Sequence, residues 1–449
     1  MEDGTTLLFN FYTLNLITLD RFESASVDRI LKNPDSYRNN ENISGLFELL
    51  FEKGFILDDE INELELLKYE RYRSCADQKN LTLTILPSLA CNFRCAYCYQ
   101  EEKTQKMSQE IEEAIIRLVK KRIQRGGSLS VDWFGGEPLL QMDIIERLSK
   151  EFIQICRDND ASYQASIVTN GYLLNTKLIN KLIELKITRA QITLDGPPEV
   201  HDKRRTLKGG QKTFRTIFNN IKKASSKMNI TLRMNVDETN RDNIKDMIEI
   251  LVKEGLEKRL GFYLGRTYPY TEVCNDIATF CLADEDFSLL GLETLMLLVD
   301  QDFSSTYWMP SSKSSYCTVD KKNSYVITPS GGIVNCWNET ADPEKEIGHL
   351  VRPKTEKMNE KTREWQQCDL FDRDECMNCI LLPICMGGCP YIFRTTGKND
   401  CHKWKYHLKE SIAFYYYYKT KQRERIIAHR LQKAVEAVKK LKDAAEGKD

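Results

Sequence analysis

Apolar residues in the middle of the chain follow two rhythms. Short β-rich runs at 81–86, 129–134, 166–169, 190–194, 230–236 and 260–264 are separated by longer stretches whose apolar residues recur at helical spacing. Ile111, Ala114, Ile115, Leu118 and Val119 mark one such stretch, and Ile144, Ile145, Leu148, Phe152, Ile153 and Cys156 mark another. Six strands alternating with helices predict parallel βαβ units with right-handed crossovers. The pattern predicts an α/β fold over residues 79–282, either an open sheet or a partial (β/α)6 TIM-type barrel.

The flanks read differently. Leu7, Leu8 and Phe9 open a β-like run and residues 45–55 form a helical stretch, which suggests a separate, small winged-helix-like unit over 1–78. A helical run around 282–302 makes 283–309 a bridging region. From 310 to 406 periodicity fades while Cys, Gly and Pro concentrate, so this third looks held together by metal rather than by a core. Residues 407–449 read as one long helix that opens on Phe414-Tyr415-Tyr416-Tyr417-Tyr418 and ends in a mixed-charge face, suited to packing rather than to nucleic acid or membrane.

Composition narrows the function classes. A length of 449 residues is two or three domains at roughly 150 residues each. Lys+Arg 65 against Asp+Glu 66 removes the electrostatic reason to expect a nucleic-acid partner. No run of eighteen apolar residues suggests a membrane span, and Met1-Glu2-Asp3-Gly4 lacks the basic start and apolar core of a signal peptide, so the expected location is cytoplasmic. Fifteen cysteines in a cytosolic chain cannot be a disulfide framework, which leaves metal binding as their expected task.

Three of them, Cys91-x3-Cys95-x2-Cys98, sit directly after the first strand of the α/β region, where parallel folds present their chemistry. Thiolates suit iron–sulfur clusters, and three ligands for four irons leave one iron open to a substrate or cofactor. Spacing alone also allows an incomplete zinc site or three unrelated thiols.

The residues around them carry a family resemblance. Cys91-Asn92-Phe93-Arg94-Cys95-Ala96-Tyr97-Cys98-Tyr99 resembles the CxxxCxxC signature of radical S-adenosylmethionine (SAM) enzymes, with Tyr97 as the aromatic residue before the third cysteine. Gly135-Gly136-Glu137-Pro138 resembles the family's GGEP motif, in which strand end and carboxylate receive the amino group of SAM. Thr169-Asn170-Gly171, Thr193-Leu194-Asp195-Gly196-Pro197, His201-Asp202-x2-Arg205 and Arg233-Met234-Asn235-Val236 resemble further family motifs at successive strand ends. The resemblance implies a SAM-binding 4Fe-4S cluster on Cys91, Cys95 and Cys98. It implies cofactor contacts from Tyr97, Gly135, Gly136, Glu137, Asn170, Thr193, Arg205 and Asn235. Asp195 either points at the substrate as a catalytic group or caps the next turn.

In the last third, Cys317-x13-Gly331-x4-Cys336 and Cys376-x2-Cys379-x5-Cys385-x3-Cys389-x11-Cys401 resemble the SPASM extension of radical SAM enzymes that modify peptides and proteins. Carried over, Cys376, Cys379, Cys385 and Cys401 would hold a distal auxiliary cluster, and Cys317, Cys336 and Cys389 a nearer one, giving three 4Fe-4S clusters. A pair of zinc sites is the alternative that thiolate spacing allows. Some relatives have one more cysteine just before the position of Cys317, but 308–316 contain none, which predicts an open iron on the nearer cluster. Cys274, Cys281 and Cys368 are unassigned and could complete that set, whereas Cys75 and Cys156 read as free thiols.

The resemblance implies that one electron from the reduced cluster splits SAM and that the resulting 5′-deoxyadenosyl radical takes hydrogen from an unactivated carbon of a peptide. The expectation is a radical SAM/SPASM maturase of ribosomally made precursor peptides, with a thioether cross-link as the natural product. The segment 49–56 followed by Asp58-Asp59-Glu60 resembles a leader-binding element, to which a precursor leader would add as a strand. A small redox protein is the expected electron donor. Two alternatives stand beside this. One is an anaerobic sulfatase-maturating enzyme, against which Trp337 counts because that group shows Asp straight after the cysteine matching Cys336. The other is a non-catalytic iron–sulfur or zinc protein.

Overall fold

The computed structural model describes residues 5–38, 40, 43–100, 104–303, 309–367, 369–421 and 424. They divide into two compact units, the described parts of Met1–Asp58 with Trp404–Asp449, and Asp59–Lys403.

In the first unit, β1 (Thr6–Phe9) and β2 (Leu16–Leu19) form an antiparallel hairpin, followed by α1 (Arg21–Lys32) and α2 (Ser44–Glu52). Asp20 and Glu23 close a reciprocal capping box that starts α1. Leu19, Val27, Ile30, Leu50 and Ile56 fill a small core. Residues 408–421 are helical, as expected, and part of their aromatic run is used in packing: Tyr415 meets Phe9 edge-on at 5.3 Å and Trp404 at 6.0 Å. The long helix expected beyond 424 lies outside the described residues.

The second unit begins with α3 (Glu63–Ala76). α3, part of the unit expected over 1–78, is bound here to the Cys-rich third. Arg71 makes a bidentate pair with Asp320 at 3.0 and 3.1 Å, both side chains buried, and Lys322 N–H donates to the Cys75 carbonyl at 2.9 Å.

The α/β region then runs β3 (Asn80–Ile85), β4 (Phe93–Cys95), α4 (Gln109–Arg122), β5 (Ser128–Trp133), α5 (Met142–Asp158), β6 (Ser162–Thr169), α6 (Thr176–Glu184) and β7 (Ile187–Thr193). It continues through α7 (Pro198–Arg204), β8 (Arg205–Leu207), α8 (Phe214–Ala224), β9 (Asn229–Val236), α9 (Ile244–Lys253) and β10 (Leu260–Arg266). The six expected strands are β3, β5, β6, β7, β9 and β10. They lie side by side in sequence order, all parallel. Leu83, Val131 and Ile167 on the strands and Ile115, Ile144, Leu148 and Phe152 on the helices are fully buried in one core.

After α10 (Asp284–Asp300), the Cys-rich third supplies three more strands to the same sheet. β11 (Ser324–Ile327) adds parallel to β3, and β12 (Gly332–Val334) and β13 (Gly348–His349) follow antiparallel. The reading of this third as coreless is corrected: Val326, Ile327 and Val334 are buried, on strands too short to show a period. Gly331, at φ +88°, closes the β11–β12 turn, and a Cβ there would stand 2.4 Å from Ile111 Cδ1. α11 (Glu356–Gln366), α12 (Asp374–Met377), α13 (Leu382–Cys385) and α14 (Pro390–Thr396) complete the unit. Among the described residues no helix is long and apolar enough to cross a membrane.

Candidate active site

The loop after β3 carries Cys91, Cys95 and Cys98 and is pinned across the strand ends. β4 pairs antiparallel with β8, placing Cys95 opposite Arg205. Ala96 N–H donates to Arg204 O at 3.1 Å and Lys208 N–H to Asn92 O at 3.0 Å. Burial pushes the Cys91 thiol up to about 12, and the Cys95 thiol up to about 11 against the opposing pull of Arg205. Burial thus disfavours the thiolate form of both in the absence of a compensating positive charge.

Gly135 and Gly136, at the end of β5, lie against the backbone just ahead of Cys91. A Cβ at Gly135 would stand 2.4 Å from Ser88 O, and one at Gly136 2.3 Å from Ala90 O. Glu137 N–H donates to Ala90 O at 2.9 Å. The Glu137 carboxylate has three donors within the protein. It is fully buried, accepting from Leu139 N–H at 3.0 Å, Thr169 Oγ1 at 2.7 Å and Asn170 N–H at 2.8 Å, so it ties the ends of β5 and β6 together. Burial still raises its pKa to about 6 against those three donors.

Asp195 takes a buried structural place behind the cavity wall. One oxygen accepts from Asn235 N–H at 3.0 Å and the other from the Tyr97 hydroxyl. That hydroxyl also accepts from Arg205 Nη1 at 2.6 Å and Asn235 Nδ2 at 2.9 Å, so four expected residues meet at one oxygen. The His201-Asp202-x2-Arg205 motif explains how they are held. His201 Nδ1 accepts Asp195 N–H at 3.2 Å, which leaves the proton on Nε2 to be donated to Thr213 Oγ1 at 3.1 Å. The Thr213 hydroxyl donates to Arg205 O at 2.5 Å, and Asp202 accepts Thr213 N–H at 2.9 Å and Phe214 N–H at 2.8 Å at the start of α8.

A cavity of about 200 Å³ opens at these strand ends, and Cys91, Cys95, Cys98, Gly135, Gly136, Asn170, Thr193, Arg205 and Asn235 all line it. Gln100 Nε2, Arg205 Nε, Arg266 Nε and Thr267 Oγ1 are buried on its wall with no hydrogen-bond partner among the described residues. Donors of this kind beside three thiols fit a ligand rich in acceptors, such as the carboxylate, ribose and adenine of SAM next to a cluster. Sequence reasoning missed Gln100, Arg266 and Thr267, which lie just outside the motifs; the signals available were the place of Arg266 and Thr267 at the end of β10 and of Gln100 two residues after Cys98. Trp337, directly after Cys336, packs on Phe134 with ring centroids 4.5 Å apart, and both line the cavity.

The remaining thiols fall into two neighbourhoods. Burial raises Cys376, with Cys401 and Cys379 among its charged neighbours, and Cys385, with Cys401 beside it. Burial likewise raises Cys336, flanked by Cys389 and Cys317, and pushes Cys317 up to about 12 beside Cys389. Among the described residues no three His, Cys, Asp or Glu side chains converge as tightly as one ion would require. Cys274 donates to Thr271 O at 3.2 Å and Cys281 to Ile277 O at 3.3 Å, Cys156 is buried in the core, and Cys75 is half-buried. Cys368 lies outside the described residues.

Residues 85–258 match the Radical SAM superfamily. The chain is 27% identical over 192 residues to the radical SAM cyclopropyl synthase TigE of Paramaledivibacter caminithermalis, covering 38% of this chain and 39% of that protein. It is 25% identical over 176 residues to the sporulation killing factor maturation protein SkfB of Bacillus subtilis, covering 39% and 40%. The match thus spans about two-fifths of the length of these curated relatives. Among solved structures, native anSMEcpe with bound AdoMet and Cp18Cys peptide superposes with a TM-score of 0.61 at 19% identity, covering 77% of this chain and 99% of that one. Members of the family use a 4Fe-4S cluster and SAM. Thiol loop, glycine pair and sequence match agree: the chain carries a radical SAM domain, residues 85–258.

Proposed function

We propose that the protein is a radical SAM/SPASM maturase that modifies a ribosomally made precursor peptide, working in the cytoplasm with a small redox protein as electron donor. The observation that carries the reading is the convergence of Cys91, Cys95, Cys98, Gly135 and Gly136 with unsatisfied donors on one cavity. The chemistry needed at an unactivated carbon is that of a 5′-deoxyadenosyl radical, which the cluster and SAM supply when bound. The chain's own residues aim it. Cys91, Cys95 and Cys98 would hold the cluster, Arg205 and Thr267 would orient SAM, and Tyr99, Phe134 and Trp337 would keep water from the cavity.

The partial (β/α)6 barrel, the winged-helix-like leader unit and the SPASM assignment belong to the same proposal. Cys376, Cys379, Cys385 and Cys401 would hold the distal cluster and Cys317, Cys336 and Cys389 the nearer one, whose open position would bind a peptide thiolate. The two neighbourhoods of thiols support that sorting. A thioether is the product we favour over sulfatase-type oxidation, because Trp337 replaces the carboxylate expected there.

Metal analysis of anaerobically reconstituted protein tests the assignment. The expected result is about 12 irons per chain, falling to about 8 in Cys91→Ala, as loss of one of three four-iron clusters requires. About 4 irons accompanied by zinc would refute the SPASM reading and leave the radical SAM domain standing.

A further inference from the structure

A second, larger cavity of about 900 Å³ adjoins the first and shares Tyr99, Gln100, Tyr268 and Tyr270 with it. Its wall carries Glu339, 3% exposed, in the short 3-10 turn that follows Cys336. One Glu339 oxygen is paired with Arg394. Arg394 is held on two further sides, by Glu364 at 3.4 Å and by the Trp365 ring, 4.3 Å from its centroid. Glu364 and Trp365 thus hold Arg394, and Arg394 in turn holds the Glu339 carboxylate.

The pair is nevertheless incomplete. Glu339 Oε2 and Arg394 Nε are both buried with no hydrogen-bond partner among the described residues. A buried ionic acceptor without a donor is costly and uncommon in folded proteins, and where it borders a cavity a ligand group can repay the cost. Four tyrosines, Tyr99, Tyr268, Tyr270 and Tyr391, line the same space and offer flat faces with polar tips, the kind of surface that receives a peptide. Resting on the peptide reading above, we propose that Glu339 is a specificity-determining residue: through Oε2 it accepts an N–H or O–H donor from a side chain of the bound peptide, and Arg394 positions it.

The test uses SAM-loaded holoenzyme and synthetic pentapeptides, acetyl-Gly-Xaa-Cys-Gly-Ala-amide and acetyl-Gly-Cys-Xaa-Gly-Ala-amide, with Xaa alanine, serine, asparagine or lysine, titrated by calorimetry. In one of the two series a donor-bearing Xaa should bind at least about tenfold tighter than alanine. Replacing both partners, Glu339→Met with Arg394→Met, should erase that preference without leaving a buried charge. Should this variant fail to fold, Ala341→Trp, which fills the cavity away from the pair, should cut peptide affinity at least about tenfold with SAM affinity unchanged. Binding without preference in the wild type, preference surviving the double variant, or an Ala341→Trp protein that binds peptide normally would each overturn the assignment of Glu339 while leaving the peptide reading intact. Holoenzyme that binds none of these leaderless peptides would likewise overturn the assignment of Glu339, whereas the peptide reading falls only if reduced holoenzyme with SAM leaves a leader-bearing precursor unmodified.

Discussion

At the scale of single residues, the motifs were legible but several of their tasks were not. The spacing of Cys91, Cys95 and Cys98 marked them as one group, and all three line the same cavity. Glu137 and Asp195 were legible as motif carboxylates, but a carboxylate in a motif looks the same whether it faces a ligand or the protein. In the structure both are 0% exposed and hydrogen-bonded within the protein. His201 shows what the motif's geometry in this chain needs. It is fully buried, and both ring nitrogens are used, Nδ1 as acceptor from Asp195 N–H. Burial, with Arg205 and Arg204 nearby, holds its pKa well below the usual histidine value. The sign follows directly. In the unfolded chain His201 takes a proton below about pH 6.5 and in the folded chain it does not, so stability is present above that pH and is lost as pH falls. The expected slope is roughly 1.4 kcal/mol per pH unit below about 6.5. Urea unfolding of wild type and His201→Gln between pH 5 and 7 measures it. The gap between the two should narrow as pH falls, and a constant gap would contradict a folded His201 that stays neutral.

At the scale of elements, long periodic segments were predictable and short ones were not. β3, β5, β6, β7, β9 and β10 stood out because their β-rich stretches alternate regularly with amphipathic helices. β11, β12 and β13 hold four, three and two residues, below the length at which alternation can be seen. α3 was misplaced for another reason: its partners Asp320 and Lys322 lie some 250 positions away in sequence, and nothing local announces them. The Arg71–Asp320 pair joins α3 to the turn just after Cys317, so it should matter for the loop that carries that thiol. Arg71→Ala leaves a buried carboxylate unpaired at a cost of about 3–5 kcal/mol. We expect it to lower iron content at the auxiliary site before the SAM-binding site, read by electron paramagnetic resonance of each reduced cluster, with Arg71→Met plus Asp320→Leu restoring it. Equal loss at both sites would show that the pair serves general stability alone.

At the scale of the whole molecule, the α/β core was the most readable part, because one repeated βα rhythm sets both its sheet order and the face on which the site is built. The division into units was less readable. The hairpin and helices of Met1–Asp58 share their compact unit with residues from Trp404 onward, a closure between the two ends of the chain carried by Phe9, Trp404 and Tyr415. Aromatic residues scattered at both termini do not declare their pairing in sequence. Across all three scales the account depends on a metal cluster at Cys91, Cys95 and Cys98 that leaves a position for SAM. The direct measurement is chromatography of an anaerobic reaction containing iron-loaded protein, dithionite and SAM. The account predicts 5′-deoxyadenosine and methionine from wild type and none above background from Cys91→Ala. Intact SAM after incubation with fully reduced, iron-replete wild type would contradict it.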